Sequence, residues 1–532
     1  MPTRSLLKRS IEAPDDPIGG PHGTMKLMGD RPGDRISRRD LLRQGALGSL
    51  ALGMVGVTGG AVLAACGSST TSSRPASWAS PATTAPPDLS ASRWWLEGNY
   101  GPVSVETTTS RLPVTGALPI ALTGLYVRNG SNPLRRTSPH WFLGDGMVHG
   151  VRLDAGSASW YRNRYVRTGL YDNGGGLGAS GAPGGSATLS NVSVVEHAGR
   201  MLSLGEVGAP YLLDPSDLST IGPAPTHSGT NNNMTAHPKI DPTTGRMHSF
   251  GYGFTEPFLE YRVHDASGTL MSNQPVVLPR SVMMHDFAIT EQDVIFLDLP
   301  VVFDMQGAIR MVTEPASEAV PYRWNPSAGA RIGVMPIGGP TSAIRWVDIE
   351  PCYVYHTVNA TRRGGSIVLD VCRLDSTFAP AGLASASTRH RWTIGTTGSR
   401  LTFHDEVIDV PPADLPTIDP RHRGTTWRHA WLAELTSRPG EVSFSGCQHI
   451  DMTTGQLDRW VPGPGRHSGE WLFVPGGPGE GEGWVMAFVY DAATDRSDLV
   501  VLDALDVARG PVAEVHLPVR VPYGFHAAYV TV

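Results

Sequence analysis

The chain has 532 residues and a formal net charge of −6, and only 17% of its residues are charged. This mild acidity, together with the lack of a Lys or Arg run in the body of the chain, argues against nucleic acid as a partner. The 62 Gly and 44 Pro residues exceed what helical proteins usually contain and are typical of many short strands joined by turns.

The first 66 residues carry the features of an export signal. Arg38 and Arg39 precede a weakly apolar run at 45–65, and adjacent arginines in that position are typical of a twin-arginine signal. The run closes on Leu-Ala-Ala followed by Cys66, which resembles a bacterial lipobox, in which the cysteine is lipidated. An uncleaved transmembrane anchor is the alternative, but the run is rich in Gly and Ala. We therefore interpret residues 1–66 as a lipoprotein signal that places the protein on the outer face of the cell membrane.

The remaining chain divides into a linker at 67–92 and a body at 93–532. The linker is rich in Ser, Thr and Pro, and we expect it to be flexible because it cannot bury a core. In the body, short apolar runs alternate with turn residues. The predicted strands are 124–128, 148–153, 192–195, 201–204, 294–299, 367–371, 484–489 and 499–502. So many hairpins predict one all-β domain, most naturally a β-propeller, although no clean repeat gives the number of blades.

The four cysteines argue against a thiolate zinc site, because no pair of them has the spacing of two intervening residues. Cys66 belongs to the signal. Cys352 and Cys372 flank a predicted hairpin turn at 362–365 and are either buried free thiols or a disulfide.

Four histidines stand in separate and distinctive segments. They are His237 in Thr-Ala-His-Pro-Lys, His285 in Met-His-Asp-Phe, His356 in Tyr-His-Thr-Val-Asn, and His526 in Tyr-Gly-Phe-His-Ala. A single histidine of this kind is more often a structural residue than a ligand. Neutral imidazole is nevertheless the commonest protein ligand of first-row transition metals, so the set indicates a metal centre. Ligands this far apart in sequence meet only in a closed fold, and the axis of a propeller is such a place.

Taken with two further segments, Gly-Leu-Tyr-Val-Arg-Asn-Gly at 124–130 and Trp-Phe-Leu-Gly-Asp-Gly-Met at 141–147, these histidine segments resemble the carotenoid cleavage oxygenase family over about residues 95–532. The resemblance implies a seven-bladed β-propeller with a loop or helix cap over an axial iron site. It implies Fe(II) held by His237, His285, His356 and His526, without a carboxylate ligand.

Three carboxylates follow from the same resemblance, because the family uses three glutamates to orient its histidines. Glu206 and Glu470 match two of them. Asp414 stands where the family usually has glutamate, so this shorter side chain must either move closer to its histidine or bridge to it through water.

The activity that the resemblance implies is cleavage of a carbon–carbon double bond by dioxygen, which yields two carbonyl products. Two substrate classes compete, namely carotenoids or apocarotenoids and phenolic stilbenes. Stilbene-cleaving members carry Lys immediately before the first of the three glutamates, whereas this chain has Gly205 there. We therefore expect an apolar polyene and O2 as the reactants. The alternatives are a lipid-anchored module that binds an apolar ligand without chemistry, and an isomerase or hydrolase on the same iron.

Apolar residues near the reacting bond are also expected. Trp141, Phe142, Phe287 and Phe303 are the aromatic candidates for stabilising cationic character on the polyene. The segment 297–311 is predicted to be either an apolar lip at the mouth of the substrate tunnel or an ordinary buried strand and turn.

Overall fold

The computed structural model describes residues 93–176, 187–225, 232–314, 317–378, 387–435 and 443–531. The predicted signal at 1–66, with Arg38, Arg39 and Cys66, and the predicted linker at 67–92 lie outside the described residues. Within the described residues, none of the helices has the length and apolar character needed to span a membrane.

Seven antiparallel sheets form the blades of a β-propeller, which confirms the predicted fold. Blade 1 comprises Thr108–Ser110, Gly124–Ser131, Gly146–Asp154, Ser157–Tyr165 and Ala527–Val530. Blade 2 comprises Ser193–His197, Arg200–Leu204, Tyr211–Leu213 and Thr220–Pro223, and blade 3 comprises Lys239–Ile240, Met247–Tyr252, Phe258–His264 and Leu270–Val277. Blade 4 comprises Ala288–Ile289, Asp293–Asp298, Ala330–Pro336 and Arg345–Ile349, and blade 5 comprises Tyr353–Arg363, Ser366–Leu374, Thr388–Gly395 and Thr402–Ile408. Blade 6 comprises Ala413–Ile418, His429–Leu435, Phe444–Asp451 and Leu457–Trp460, and blade 7 comprises Val114–Gly116, Arg466–His467, Leu472–Pro475, Gly483–Asp491, Arg496–Asp503 and Pro511–His516.

Both ends of the body close the ring of blades. The last strand, Ala527–Val530, pairs with Gly124–Ser131 in blade 1. An early strand, Val114–Gly116, pairs with Pro511–His516 in blade 7. Blades 1 and 7 therefore each contain strands from both ends of the body, and backbone hydrogen bonds rather than side-chain contacts alone hold the ring shut.

The strand Gly483–Asp491 shows why these segments read as continuous apolar runs. Met486 and Phe488 pack into one hydrophobic cluster, which they share with residues of blade 1. Val485, Ala487 and Val489 point the other way, into a cluster shared with blade 6. Because successive side chains of a strand face opposite sides, a blade enclosed by two neighbours needs apolar residues at every position.

All eight predicted strands fall on observed strands, with boundaries that shift by a few residues. The hairpin turn predicted near 362–365 is also observed, with Arg363 paired to Ser366 across Gly364 and Gly365. In that hairpin Cys372 lies opposite His356, so Cys352 is several residues out of register with it. Cys352, Cys372 and Cys447 are buried free thiols, and the disulfide alternative is wrong.

The connections between strands contribute short helices and an extra hairpin. Among the described residues, the α-helices are Gly169–Asp172 and Met305–Thr313, and the 3-10 turns are Trp94–Leu96, Gly98–Tyr100, Trp141–Leu143, Pro326–Ala328, Thr341–Ala343, Pro420–His422 and Val507–Arg509. The extra hairpin pairs Val301–Phe303 with Tyr322–Trp324. The segment 297–311 thus begins as buried strand and continues into the helix Met305–Thr313, whose first turn is capped by the Asp304 carboxylate accepting from the Gln306 N–H at 3.1 Å.

Candidate metal centre

Each of the four histidines lies within, or just before, the strand at one edge of the sheet that forms its blade. They are His237 before Lys239–Ile240 in blade 3, His285 before Ala288–Ile289 in blade 4, His356 within Tyr353–Arg363 in blade 5, and His526 before Ala527–Val530 in blade 1. Equivalent strands of different blades approach one another at the propeller axis. The fold therefore brings together side chains from four distant segments.

The four imidazoles are arranged around a common point. One ring nitrogen of each lies within 4.8 Å of the corresponding atoms of the other three. Nε2 of His237 is 2.9 Å from Nε2 of His285, and Nε2 of His356 is 3.2 Å from Nε2 of His526. Two ligands at right angles on one ion, each about 2.1 Å away, would be about 3.0 Å apart. The spacing fits a single metal ion.

Three carboxylates bind the opposite nitrogens of three of these rings. They are Glu206 with Oε2 at 2.8 Å from Nδ1 of His285, Asp414 with Oδ1 at 2.7 Å from Nδ1 of His356, and Glu470 with Oε1 at 2.7 Å from Nδ1 of His526. Glu206 follows a strand of blade 2, Asp414 lies in blade 6 and Glu470 lies in blade 7. Four blades thus supply the histidines, and the other three supply the carboxylates that orient them.

These contacts fix the tautomers of His285, His356 and His526. A carboxylate accepts a hydrogen bond, so Nδ1 carries the proton and Nε2 presents a lone pair. The lone pairs of His356 and His526 then face each other across 3.2 Å, which is repulsive unless a cation lies between them. A set of neutral imidazoles suits first-row ions such as iron, copper, nickel or zinc. The residues present fit a bound metal ion.

The pKa values agree with neutral rings at two of the positions. Burial and the neighbouring imidazoles hold the pKa of His237 well below its usual value. Burial also lowers the pKa of His356, although Asp414 opposes it. Burial lowers the pKa of His285 too, but the carboxylates of Glu206, Asp286 and Asp414 together outweigh it and leave that pKa raised.

Asp414 reaches its histidine directly, so its shorter side chain moves closer and needs no bridging water. The strand Ala413–Ile418 has a register shift between Asp414 and Thr417. Leu415 within this bulge has φ +52°, a left-handed conformation that costs a non-glycine residue energy. The Leu415 N–H donates to Asp414 Oδ1 at 2.8 Å. The bulge redirects the backbone and aims the aspartate at His356.

Two tyrosines extend the contacts of Glu206. The Tyr252 hydroxyl donates to Glu206 Oε1 at 2.8 Å, and the Tyr322 hydroxyl lies 3.5 Å from that of Tyr252. Tyr252 comes from blade 3 and Tyr322 from the extra hairpin, and no local sequence motif marks either of them as a partner of Glu206.

A cavity is lined in part by Glu206, the carboxylate that contacts His285. Phe142, Phe254, Phe303 and Tyr322 contribute aromatic surface to this cavity. Met305, Ala308, Met311 and Val312, all from the helix Met305–Thr313, also line it. The segment 297–311 therefore does supply apolar wall, through a helix that the sequence analysis did not predict.

The aromatic candidates divide between the cavity and the core. Phe142 and Phe303 line the cavity. Trp141 packs between Tyr100 and Phe525, and Phe287 is fully buried. Of the four candidates, therefore, Phe142 and Phe303 line this cavity and Trp141 and Phe287 do not.

The comparison with known sequences places the chain among enzymes. The sequence model of the retinal pigment epithelial membrane protein family matches residues 100–531. A carotenoid cleavage oxygenase of Mycobacterium tuberculosis is 35% identical over 487 residues, which cover 81% of this chain and 96% of that protein. Carotenoid 9,10(9′,10′)-cleavage dioxygenase 1 of Arabidopsis thaliana is 33% identical over 503 residues, which cover 84% of this chain and 91% of that protein.

Solved structures agree on the fold. The lignostilbene dioxygenase of Pseudomonas brassicacearum superposes with a TM-score of 0.74 at 28% identity, covering 82% of this chain and 98% of that one. A cobalt-substituted apocarotenoid oxygenase of Synechocystis superposes with a TM-score of 0.72 at 24% identity, covering 81% of this chain and 97% of that one. The second likeness concerns the fold alone.

Proposed function

The chain belongs to the carotenoid cleavage oxygenase family and is an oxygenase, and on that premise we propose that it is a non-haem Fe(II) dioxygenase. In this proposal it cleaves one carbon–carbon double bond of a carotenoid or apocarotenoid. Both atoms of O2 enter the two carbonyl products, so the alkene supplies all the electrons and no external reductant is consumed.

One observation carries the proposal. Four imidazoles converge on one point, and each of three buried or half-buried carboxylates fixes the tautomer of one ring. Within the described part of the chain, no carboxylate oxygen is among the converging ligand atoms. A neutral ligand set leaves a divalent ion with its full charge, which suits an iron that must react with dioxygen rather than one that is held only for structure.

The protein residues would divide the work as follows. His237, His285, His356 and His526 would hold the ion. When bound, ferrous iron supplies the electronic coupling that lets triplet dioxygen react with an alkene at ordinary temperature. The apolar walls of the cavity would bind the polyene, align one double bond with the metal position and exclude water. Phe142 and Phe303 line this space and would stabilise positive charge on the polyene.

The position before Glu206 favours a polyene over a phenolic stilbene. A Cβ atom added at Gly205 would lie 2.7 Å from Thr188 Oγ1 and 3.1 Å from Ser190 N. Any side chain there requires the Thr188 hydroxyl, which accepts from the Ser190 N–H, to shift. The lysine that would bind an ionised phenol is absent from this position, and its Cβ atom would disturb this contact.

The proposal is tested by aerobic incubation of the purified protein with a panel of apocarotenoids and hydroxystilbenes, with iron content measured on the same sample. We expect about one iron per chain, O2 uptake, and aldehyde products from a polyene that carry label from ¹⁸O2. Ligand binding without iron or O2 uptake would instead favour the binding module. A single product without incorporated oxygen would favour an isomerase or hydrolase.

We also propose that the enzyme is a lipoprotein exported by the twin-arginine route and held at the outer face of the membrane through Cys66. A membrane location suits a substrate that partitions into bilayers. Because this route exports folded protein, iron would be loaded in the cytoplasm. Replacing Arg38 and Arg39 by Lys should retain the protein in the cytoplasm, and Cys66→Ser should release it from the membrane fraction. Membrane attachment that survives Cys66→Ser would point to the transmembrane anchor.

A further inference from the structure

A second polar cluster surrounds Asp286, the residue that follows His285 in the chain. The Asp286 side chain is buried, with 2% of its surface exposed, and both of its oxygens are engaged. Oδ1 is 2.6 Å from Nζ of Lys239 and accepts from the Phe287 N–H at 2.8 Å. Oδ2 accepts from the N–H and from the hydroxyl of Thr357, each at 2.8 Å.

These partners connect three segments that each carry one of the converging histidines. Asp286 follows His285, which comes from blade 4. Lys239 stands two residues after His237, in blade 3. Thr357 follows His356, in blade 5. One carboxylate therefore joins three successive blades within one or two residues of three candidate ligands.

A neighbouring threonine strengthens one of these links. The Thr235 hydroxyl accepts from the His237 N–H at 3.1 Å and donates to the His285 carbonyl at 3.3 Å. The Thr357 hydroxyl also lies 3.2 Å from the Phe287 carbonyl. The backbones on either side of His285 are thus tied to blade 3 and to blade 5 by side-chain hydrogen bonds that cross between blades.

We propose that Asp286 is a positioning residue that sets the mutual spacing of His237, His285 and His356, and so sets the affinity and geometry of the metal site. This rests on the proposed iron site. Asp286 is not a ligand in this proposal, because its two oxygens are turned to Lys239 and Thr357. A charged carboxylate suits the task, since hydrogen bonds and ion pairs in a buried site hold their partners to a narrow range of positions.

The test compares Asp286→Asn with Asp298→Asn in the full-length protein. Asp298 is a suitable control because it is fully buried in the same sheet as Ile289, pairs with Arg331 Nε at 2.7 Å, and lies outside the histidine cluster. Three quantities are measured on each variant: the thermal midpoint without metal, the Fe(II) dissociation constant by anaerobic chelator competition, and the visible absorption spectrum with Co(II) in place of iron.

We expect Asp286→Asn to weaken Fe(II) binding by about 10-fold or more, which is the scale for groups that orient ligands, and to shift the Co(II) bands. Asp298→Asn should lower the thermal midpoint and leave both metal readouts as in the unmodified protein. Should Asp286→Asn fail to fold, Thr357→Val, which removes only one hydroxyl, should weaken Fe(II) binding and shift the bands in the same direction.

Wild-type Fe(II) affinity together with an unchanged Co(II) spectrum in Asp286→Asn, or in Thr357→Val where that is the variant that folds, would overturn the inference. Equal metal effects in Asp298→Asn would overturn it as well, because the loss would then be general. These outcomes differ from failure of the proposed function, in which the unmodified protein itself would neither retain iron nor cleave a polyene.

Discussion

Glutamine substitution should damage the metal site far more at Glu470 than at Glu206. Glu470 Oε1 accepts from His526 Nδ1 at 2.7 Å, and its Oε2 accepts from the Ala527 N–H at 2.5 Å. Both partners are donors, and a glutamine amide has only one acceptor oxygen. Its NH2 group must therefore face either the backbone N–H or His526. In the second case the ring takes the other tautomer, and its Nε2–H points at the metal.

Glu206 has one partner that can adapt. Its second oxygen accepts from the Tyr252 hydroxyl at 2.8 Å, and a hydroxyl can rotate to accept from an amide instead of donating to it. Glutamine at 206 therefore keeps an acceptor for His285 Nδ1 and loses mainly the charge. Loss of an orienting group weakens metal binding by about 10- to 100-fold. We expect about 10-fold for Glu206→Gln and about 100-fold for Glu470→Gln, a difference of about 1.4 kcal/mol.

The measurement is an Fe(II) dissociation constant for each variant, determined anaerobically by competition with a chelator. Glu514→Gln is the matched control, because Glu514 also lies in blade 7 and pairs with Arg466 at 2.9 Å rather than with a histidine. An iron affinity that falls as far in Glu206→Gln as in Glu470→Gln would refute the reasoning from donors and acceptors. So would an unchanged affinity in Glu470→Gln.

Three further outcomes are expected. Gly205→Ala should lower the free energy of unfolding by about 1–3 kcal/mol, because the added Cβ would press on Thr188. Denaturant unfolding measures this loss. Gly463→Ala is the control, because no atom lies within 4 Å of a Cβ added there. Burial lowers the pKa of His248 to about 4, so the unfolded chain binds a proton below about pH 6.5 that the folded protein does not take up until pH falls to about 4. His248 should therefore lower the free energy of unfolding by on the order of 2 kcal/mol between pH 7 and pH 5. His248→Gln should reduce the dependence of the free energy of unfolding on pH over this range. An equally strong pH dependence in His248→Gln would contradict this prediction. Fe(II) at 100 times its dissociation constant should stabilise the protein by about 2.7 kcal/mol, and a thermal midpoint independent of Fe(II) concentration would argue that the ion does not bind the folded state.

Strand positions and the closed β architecture could be predicted from sequence because they depend on short-range patterns. The run at 484–489 is recognisable as a strand because both faces of its blade are covered, so its positions are apolar throughout. The turn at 362–365 is recognisable because it contains two glycines, and Gly364 adopts φ +58°. The sequence pattern did not predict the helix Met305–Thr313. It is only nine residues long, and its apolar side chains face a cavity whose other walls come from distant segments.

The sequence by itself determined the ingredients of the metal site, namely four histidines in recognisable segments and three carboxylates, because residue types and local motifs are written along the chain. Only the tertiary structure decided how they are used. It paired Glu206 with a histidine two blades away, turned Asp414 toward His356 through a bulge, and gathered Lys239, Asp286 and Thr357 into one cluster. Contacts of this kind depend on how blades meet at the axis, and that geometry is set by packing between segments that belong to different blades and lie far apart in the chain.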